Sequence, residues 1–200
     1  MMDLPYSVTL LDCRAGLSQP ARIVRLTRNM ASSGITGRWW ANLGISERRR
    51  SEERDHHWNW TKLVGGLRGD AFAHAIAVVT PDDQIQGALI YRLNGRSFLS
   101  RPSLSAHGER LATAPRNRDG LVDSPSYRGV GTTLIRFAVC HSYEVGLEGR
   151  MTLFSLPSLK TQEFYRRLGF QETGEASDGM MLYELTPESA TNILTALGKL

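Results

Sequence analysis

The run Ser126-Tyr127-Arg128-Gly129-Val130-Gly131-Thr132-Thr133-Leu134-Ile135 constrains this chain more than any other. Two glycines one residue apart let the backbone take conformations closed to other residues, so that successive N–H groups converge on one concavity. Directly behind them, Leu134, Ile135, Ala138 and Val139 repeat as the stripe of a helix buried on one side, and Gly146 supplies its stop. A glycine turn that opens a helix offers a diphosphate its free N–H groups and the positive end of the helix dipole. Glycine pairs also serve plain tight turns, so the segments downstream carry the decision.

Those segments are a strand-like Met151-Thr152-Leu153-Phe154, then Ser155-Leu156-Pro157-Ser158, then a short helix pattern ending in Tyr165-Arg166-Arg167-Leu168-Gly169-Phe170. The order of glycine turn, helix, strand, short helix and Tyr-x-x-x-Gly-Phe resembles the GCN5-related N-acetyltransferase superfamily, over Glu109 to Leu185. The resemblance implies a mixed α/β fold, with a twisted, mostly antiparallel sheet splayed where acetyl-CoA enters and flanked by helices. It implies one domain over residues 1–200, in which 107–185 form the acetyl-CoA-binding core and 1–70 a variable part bordering the acceptor. The implied activity is acetyl transfer from acetyl-CoA, as co-substrate, to a primary amine. Small molecules, antibiotics, proteins and aminoacyl-tRNA all serve as acceptors in relatives. The alternative is a noncatalytic acyl-CoA-binding or interaction module on the same fold.

The superfamily's turn, Arg/Gln-x-x-Gly-x-Gly/Ala, fits this chain in two registers: Arg128 with Gly131 and Thr133, or Ser126 with Gly129 and Gly131. The second places Leu134 and Ile135 on the helix face and puts Ser126 where Arg or Gln is usual. By resemblance, the pyrophosphate lies against Arg128, Gly129, Val130, Gly131, Thr132 and Thr133. Leu111, Ala112 and Thr113 correspond to the strand whose backbone holds the pantetheine arm and aims the carbonyl. Tyr165 matches the tyrosine that protonates the departing thiolate; the competing reading is a core tyrosine beside Phe164. For the base, Glu109 comes first and His107, two residues earlier on the same face, second, against relatives that use only water.

Composition adds bounds. Two hundred residues with 41% hydrophobic content suffice for one full core. No run of eighteen apolar residues occurs and the first residues lack a basic leader, so a cytoplasmic protein without membrane attachment is expected. Cys13 and Cys140 read as two packing thiols. The net charge of +4 favours anionic partners, coenzyme A among them, but Arg48-Arg49-Arg50 is neutralised by Glu52-Glu53, so nucleic acid is disfavoured except as an aminoacyl-tRNA substrate. A homodimer is also admitted. Adjacent His56 and His57 cannot both face one ion, so no metal is expected.

Along the chain, Ser7–Cys13 reads as a strand, and residues 21–30 as a helix after a break at Pro20. Residues 71–79 and 85–93 form a hairpin, and Asn94-Gly95 predicts a tight turn into a returning strand at Arg96–Ser100. Residues 107–115 predict the strand leading to the turn, and 116–125 a flap or surface loop. The four tryptophans, all between residues 39 and 60, read as packing under a long connection or as an acceptor wall. Residues 170–173 and 180–185 are closing strands, and Thr186-Pro187 starts a last helix.

Overall fold

The computed structural model describes residues 3–41 and 43–198. Its strands are β1 (Tyr6–Asp12), β2 (Leu17–Arg25), β3 (Ala73–Val79), β4 (Ile85–Arg96), β5 (Leu104–Thr113), β6 (Tyr127–Arg128), β7 (Met151–Ser155), β8 (Gln171–Ser177) and β9 (Met180–Leu185). Its helices are α1 (Arg28–Gly34), α2 (Glu47–Ser51), α3 (Trp60–Gly65), α4 (Val130–Glu144), α5 (Leu159–Arg167) and α6 (Pro187–Ala196), with a 3-10 turn at Pro115–Asn117. The architecture is mixed α/β with an open sheet, as the sequence implied. No helix among the described residues is long and apolar enough to cross a membrane. The chain divides into two compact units, residues 3–90 with 111–134, and residues 91–110 with those from 135 onward; β4, β5 and α4 belong partly to each.

In the first unit the strands follow the order β6-β1-β2-β3-β4, and the pairs β1–β2, β1–β6 and β2–β3 are antiparallel. The helix expected over residues 21–30 is corrected here. Ala21 and Ile23 are buried while Arg22 faces out, a period of two, and the segment pairs with β1 from Tyr6↔Ile23 to Asp12↔Leu17. The helix starts only at Arg28, where the Thr27 hydroxyl accepts from the Met30 N–H as cap. Its Ala31 joins Ile35, Trp39 and Trp60 against Ala77, Val79, Ile85, Ala88 and Ile90 of the sheet. Trp39 meets Trp60 edge-on at 6.1 Å, and Trp58 meets Trp60 at 6.0 Å. The tryptophan-rich stretch is therefore, in large part, core.

In the second unit the order is β4-β5-β7-β9-β8, with β5–β7 parallel and β7–β9 and β8–β9 antiparallel. The turn expected at Asn94-Gly95 is absent, because β4 continues to Arg96. A Cβ at Gly95 would come within 2.7 Å of His107 Cβ and 3.0 Å of the Ser105 carbonyl oxygen, so this glycine serves close strand approach. The chain turns instead at 97–103, around the buried carboxylate of Glu184. That carboxylate accepts from Ser97 Oγ (2.5 Å) and from the N–H groups of Phe98 (2.7 Å) and Leu99 (3.0 Å). Ser158 and Thr186 cap α5 and α6 as their sequence context predicts. Both cysteines are free.

Candidate active site

The glycine turn begins as a strand. Tyr127 and Arg128 pair with Asp12 and Leu11, and the Ser126 carbonyl accepts from the Cys13 N–H at 3.0 Å, so Ser126 to Arg128 are held by β1. Gly129 then turns at φ +85°, a left-handed conformation that side-chain-bearing residues rarely adopt. A Cβ built there would meet nothing within 4 Å, so the concavity is open. Helix α4 starts at the next residue, and its first backbone bond runs from the Thr133 N–H to the Gly129 carbonyl at 2.9 Å. The N–H groups of Val130, Gly131 and Thr132 precede that bond and have no partner among the described residues. These are the donors the phosphate reading requires. Arg128 is exposed and pairs with exposed Asp119 at 3.3 Å, an interaction worth little in water.

Gly87 seats the head of this helix on β4. A side chain there would run into Val130 Cγ1, with Leu134 Cδ1 at 3.1 Å and the Ala112 carbonyl oxygen at 3.2 Å. The end of β5 is fixed by the Ala114 N–H donating to the Gln86 carbonyl at 2.8 Å.

Within the other unit, the ladder between β5 and β7 spans only Ala106↔Met151, His107↔Thr152 and Gly108↔Leu153. Phe154 and Ser155 keep their β9 partners but have none on β5, so the strands part after Gly108. Glu109, the first choice for the base, sits just past this point with its carboxylate against the Arg92 guanidinium, both side chains about 30% exposed. His107 Nδ1 lies 3.0 Å from Thr152 Oγ1, and its ring stands edge-on to Phe154. Burial lowers the His107 pKa, Glu109 raises it and Arg92 lowers it, with a net downward shift that leaves the ring neutral at pH 7. Tyr165 is buried among Phe164, Phe170 and Tyr183. Burial pushes its hydroxyl well above the ordinary tyrosine value, and the hydroxyl makes no hydrogen bond among the described residues.

Sequence reading missed the arginines after β5. The stretch expected to be a flap or surface loop is tied down by Arg118, which bonds Asp55 (2.5 and 2.7 Å), Glu53 (2.5 Å) and the Thr113 carbonyl. Burial alone would lower the Arg118 pKa, but the bonds and charges of Asp55 and Glu53 outweigh it and raise the value. Arg118 and Arg50 also lie over the ring of Trp40, at 5.3 and 5.6 Å. Arg116 bonds Gln86 Oε1 (3.2 Å) and the Ile85 carbonyl (3.1 Å). Only the Arg-x-Arg spacing in a loop hinted at these roles. Among the described residues no group of three or more metal-binding side chains gathers.

Solved structures share this fold. An N-acetyltransferase (PaiA) from Thermoplasma acidophilum, solved in complex with coenzyme A, superposes with a TM-score of 0.56 at 16% identity, over 82% of this chain and 97% of its own. The chain has the fold of the GCN5-related N-acetyltransferases. A second structure on this fold, a mutant AtaT toxin bound to the C-terminus of the antitoxin AtaR and acetyl-CoA, matches at 0.55 and 20% identity, over 88% and 98% of the two chains. A third, apo FdhC, described as a nucleotide-linked sugar GNAT, matches at 0.56 and 11% identity, over 98% of both. No family model matches the sequence, and no curated protein is detectably similar to it.

Proposed function

We propose that this chain is an acetyl-CoA-dependent N-acetyltransferase. The observation that carries the reading is the head of α4: three unpartnered N–H groups behind a left-handed glycine, opening a 15-residue helix. The fold supports it, since one solved neighbour holds coenzyme A and another acetyl-CoA. The residues present suit such a ligand: the N–H groups of Val130, Gly131 and Thr132 for the pyrophosphate, and the backbone of Leu111 to Thr113 for the arm and carbonyl.

Bound there, acetyl-CoA supplies a thioester carbonyl that an amine attacks, forming the C–N bond and releasing the thiolate. Tyr165, protonated at neutral pH as an ordinary tyrosine is, donates to that thiolate, and burial, which raises its pKa, makes the proton harder to give up. The proton that the attacking nitrogen must lose goes to Glu109, two residues before Leu111 on β5 and paired there with Arg92, with His107, four residues before Leu111, or water as the alternatives.

The test is release of free thiol from acetyl-CoA by the purified chain across a panel of primary amines, with acetyl-CoA binding measured by calorimetry. Binding with amine-dependent release is the expected result. Binding without release from any amine assigns the noncatalytic module, and absence of binding refutes the acyl-CoA reading altogether.

A further inference from the structure

Within the first unit lies a cavity of about 500 Å³ whose walls include Arg38, Trp39, Ile85, Asp83 and Arg116. Its floor is built. The Ile85 carbonyl accepts from both the Trp39 indole N–H (3.2 Å) and Arg116 Nη2 (3.1 Å), and Gln86 Oε1 holds Arg116 Nε at 3.2 Å and the Asn117 amide at 3.0 Å. Trp39 and Gln86 are both buried. This fixes the Arg116 guanidinium by neutral acceptors alone, and among the described residues no carboxylate forms an ion pair with it.

That is an unusual way to keep a charge. Burial lowers the Arg116 pKa, and the charge of Asp82 acts the other way without an ion-pair contact. A partly buried cation with no carboxylate in direct contact is held at a cost that an anion in the cavity would offset. Arg118, two residues on, has the opposite treatment, with two carboxylates in direct contact. Arg38 is exposed, and its side chain makes no hydrogen bond or ion pair among the described residues. The wall also holds the carboxylate of Asp83, which is largely exposed to water and pairs with exposed Arg22 at 3.2 Å, so solvent screens its charge from the cavity.

We propose that this cavity seats the anionic group of the acyl acceptor, so that the amine acetylated here carries a carboxylate or a phosphate ester. The proposal rests on the N-acetyltransferase reading above, which places the acyl carbonyl against the end of β5. Arg116 follows Thr113 by three residues, so their Cα atoms lie within roughly 11 Å of each other. The Arg116 guanidinium is held at Ile85 and Gln86, and the Ala114 N–H donates to the Gln86 carbonyl, so the cavity floor adjoins the end of β5 and suits an acceptor whose amine and anion are joined by a short carbon chain. The planar guanidinium of Arg116 provides paired donors for a carboxylate or phosphate, and the Trp39 ring gives the carbon chain an apolar wall.

The experiment compares matched acceptors on the full chain with saturating acetyl-CoA: α,ω-amino acids of increasing length against their carboxamides, and O-phosphoethanolamine against ethanolamine. The anionic member of a pair should exceed its neutral partner in kcat/KM by roughly 10- to 100-fold, the weight of one or two charge-assisted hydrogen bonds. The better of the two series identifies carboxylate or phosphate. In Arg38→Gln, an exposed change that leaves the floor intact, the anionic-to-neutral ratio should fall by about tenfold or more. Equal turnover of both members, or a ratio unmoved by Arg38→Gln and by Arg116→Gln alike, overturns the proposal while leaving the acetyltransferase reading standing. If no amine is acetylated, calorimetry with the same pairs decides: binding of the anionic members alone, weakened in Arg38→Gln, sustains the anion seat, and binding of neither overturns it.

Discussion

Replacing Gly87 with alanine tests how α4 is positioned. A Cβ at this buried strand position overlaps Val130 Cγ1 and comes within 3.1 Å of Leu134 Cδ1 and 3.2 Å of the Ala112 carbonyl oxygen. Relaxed carbon contacts lie near 3.5–4.0 Å, and neither neighbour has room to give way, because Val130 is 2% and Leu134 0% exposed. Overpacking of this kind costs about 1–3 kcal/mol. Alanine recovers part of that, about 0.4–1 kcal/mol, by restricting the unfolded chain. A net loss of about 1–2 kcal/mol follows, or roughly 2–8 °C in Tm for a chain of this size. Because the strain is relieved by moving the first turn of α4, acetyl-CoA affinity should fall together with stability. Urea denaturation measures the first effect and calorimetry the second. A Gly87→Ala protein with unchanged midpoint and unchanged affinity would refute the claim that close packing on β4 aims the helix.

The other expectations follow from single residues. Gly129→Val forces a branched side chain to φ +85° and into the open concavity, so acetyl-CoA affinity should drop at least about tenfold in calorimetry, with a stability loss of about 1–2 kcal/mol. Tyr165→Phe removes a hydroxyl that makes no hydrogen bond among the described residues; turnover should fall about 10²–10⁴-fold at nearly constant Tm, and unchanged turnover would make Tyr165 a packing residue only. His107 and His141 are both held below their ordinary pKa by burial, so the unfolded chain binds protons that the fold refuses. Stability should therefore be fully present above pH about 6.5 and decline as the pH drops through that value toward the folded-state values, and His107→Gln should flatten part of the decline in denaturation midpoints measured from pH 7.5 to 5.

What the sequence disclosed was local. The glycine turn, the stripe of α4, the caps Ser158 and Thr186 and the last strand are written in spacings of a few residues, and each lies where its pattern predicts, whereas the strand expected over 170–173 runs on to Ser177. What it concealed was settled at a distance. Asn94-Gly95 has the composition of a tight turn, yet the turn forms later, because a carboxylate 85 to 87 residues away captures two N–H groups and a hydroxyl there. Residues 21–30 carry apolar positions that suit a helix moderately well, and pairing with β1 on one side and β3 on the other overrides that preference. The Arg118 network joins segments 63 residues apart, so no window along the chain could separate an anchored loop from a free one.

The same distant contacts bear on the proton that leaves the amine. Glu109 and His107 look interchangeable in the sequence, two residues apart on one strand face, and a carboxylate is the more familiar base. Their surroundings separate them. Glu109 pairs with the Arg92 guanidinium, both side chains about 30% exposed, and lies two residues nearer the end of β5 than His107. His107 Nδ1 lies 3.0 Å from Thr152 Oγ1, which also lies 3.2 Å from Ser105 Oγ and 3.4 Å from the Ala106 carbonyl, so the network accommodates either tautomer of the ring, and Nε2 makes no hydrogen bond among the described residues. Burial lowers the affinity of the ring for a proton and so makes it a weaker base. A base with a depressed pKa accepts poorly from a strongly basic ammonium, so the amine must arrive, or become, neutral as it leaves water. An acceptor whose anion is anchored elsewhere can meet that demand, because its binding does not depend on the ammonium charge.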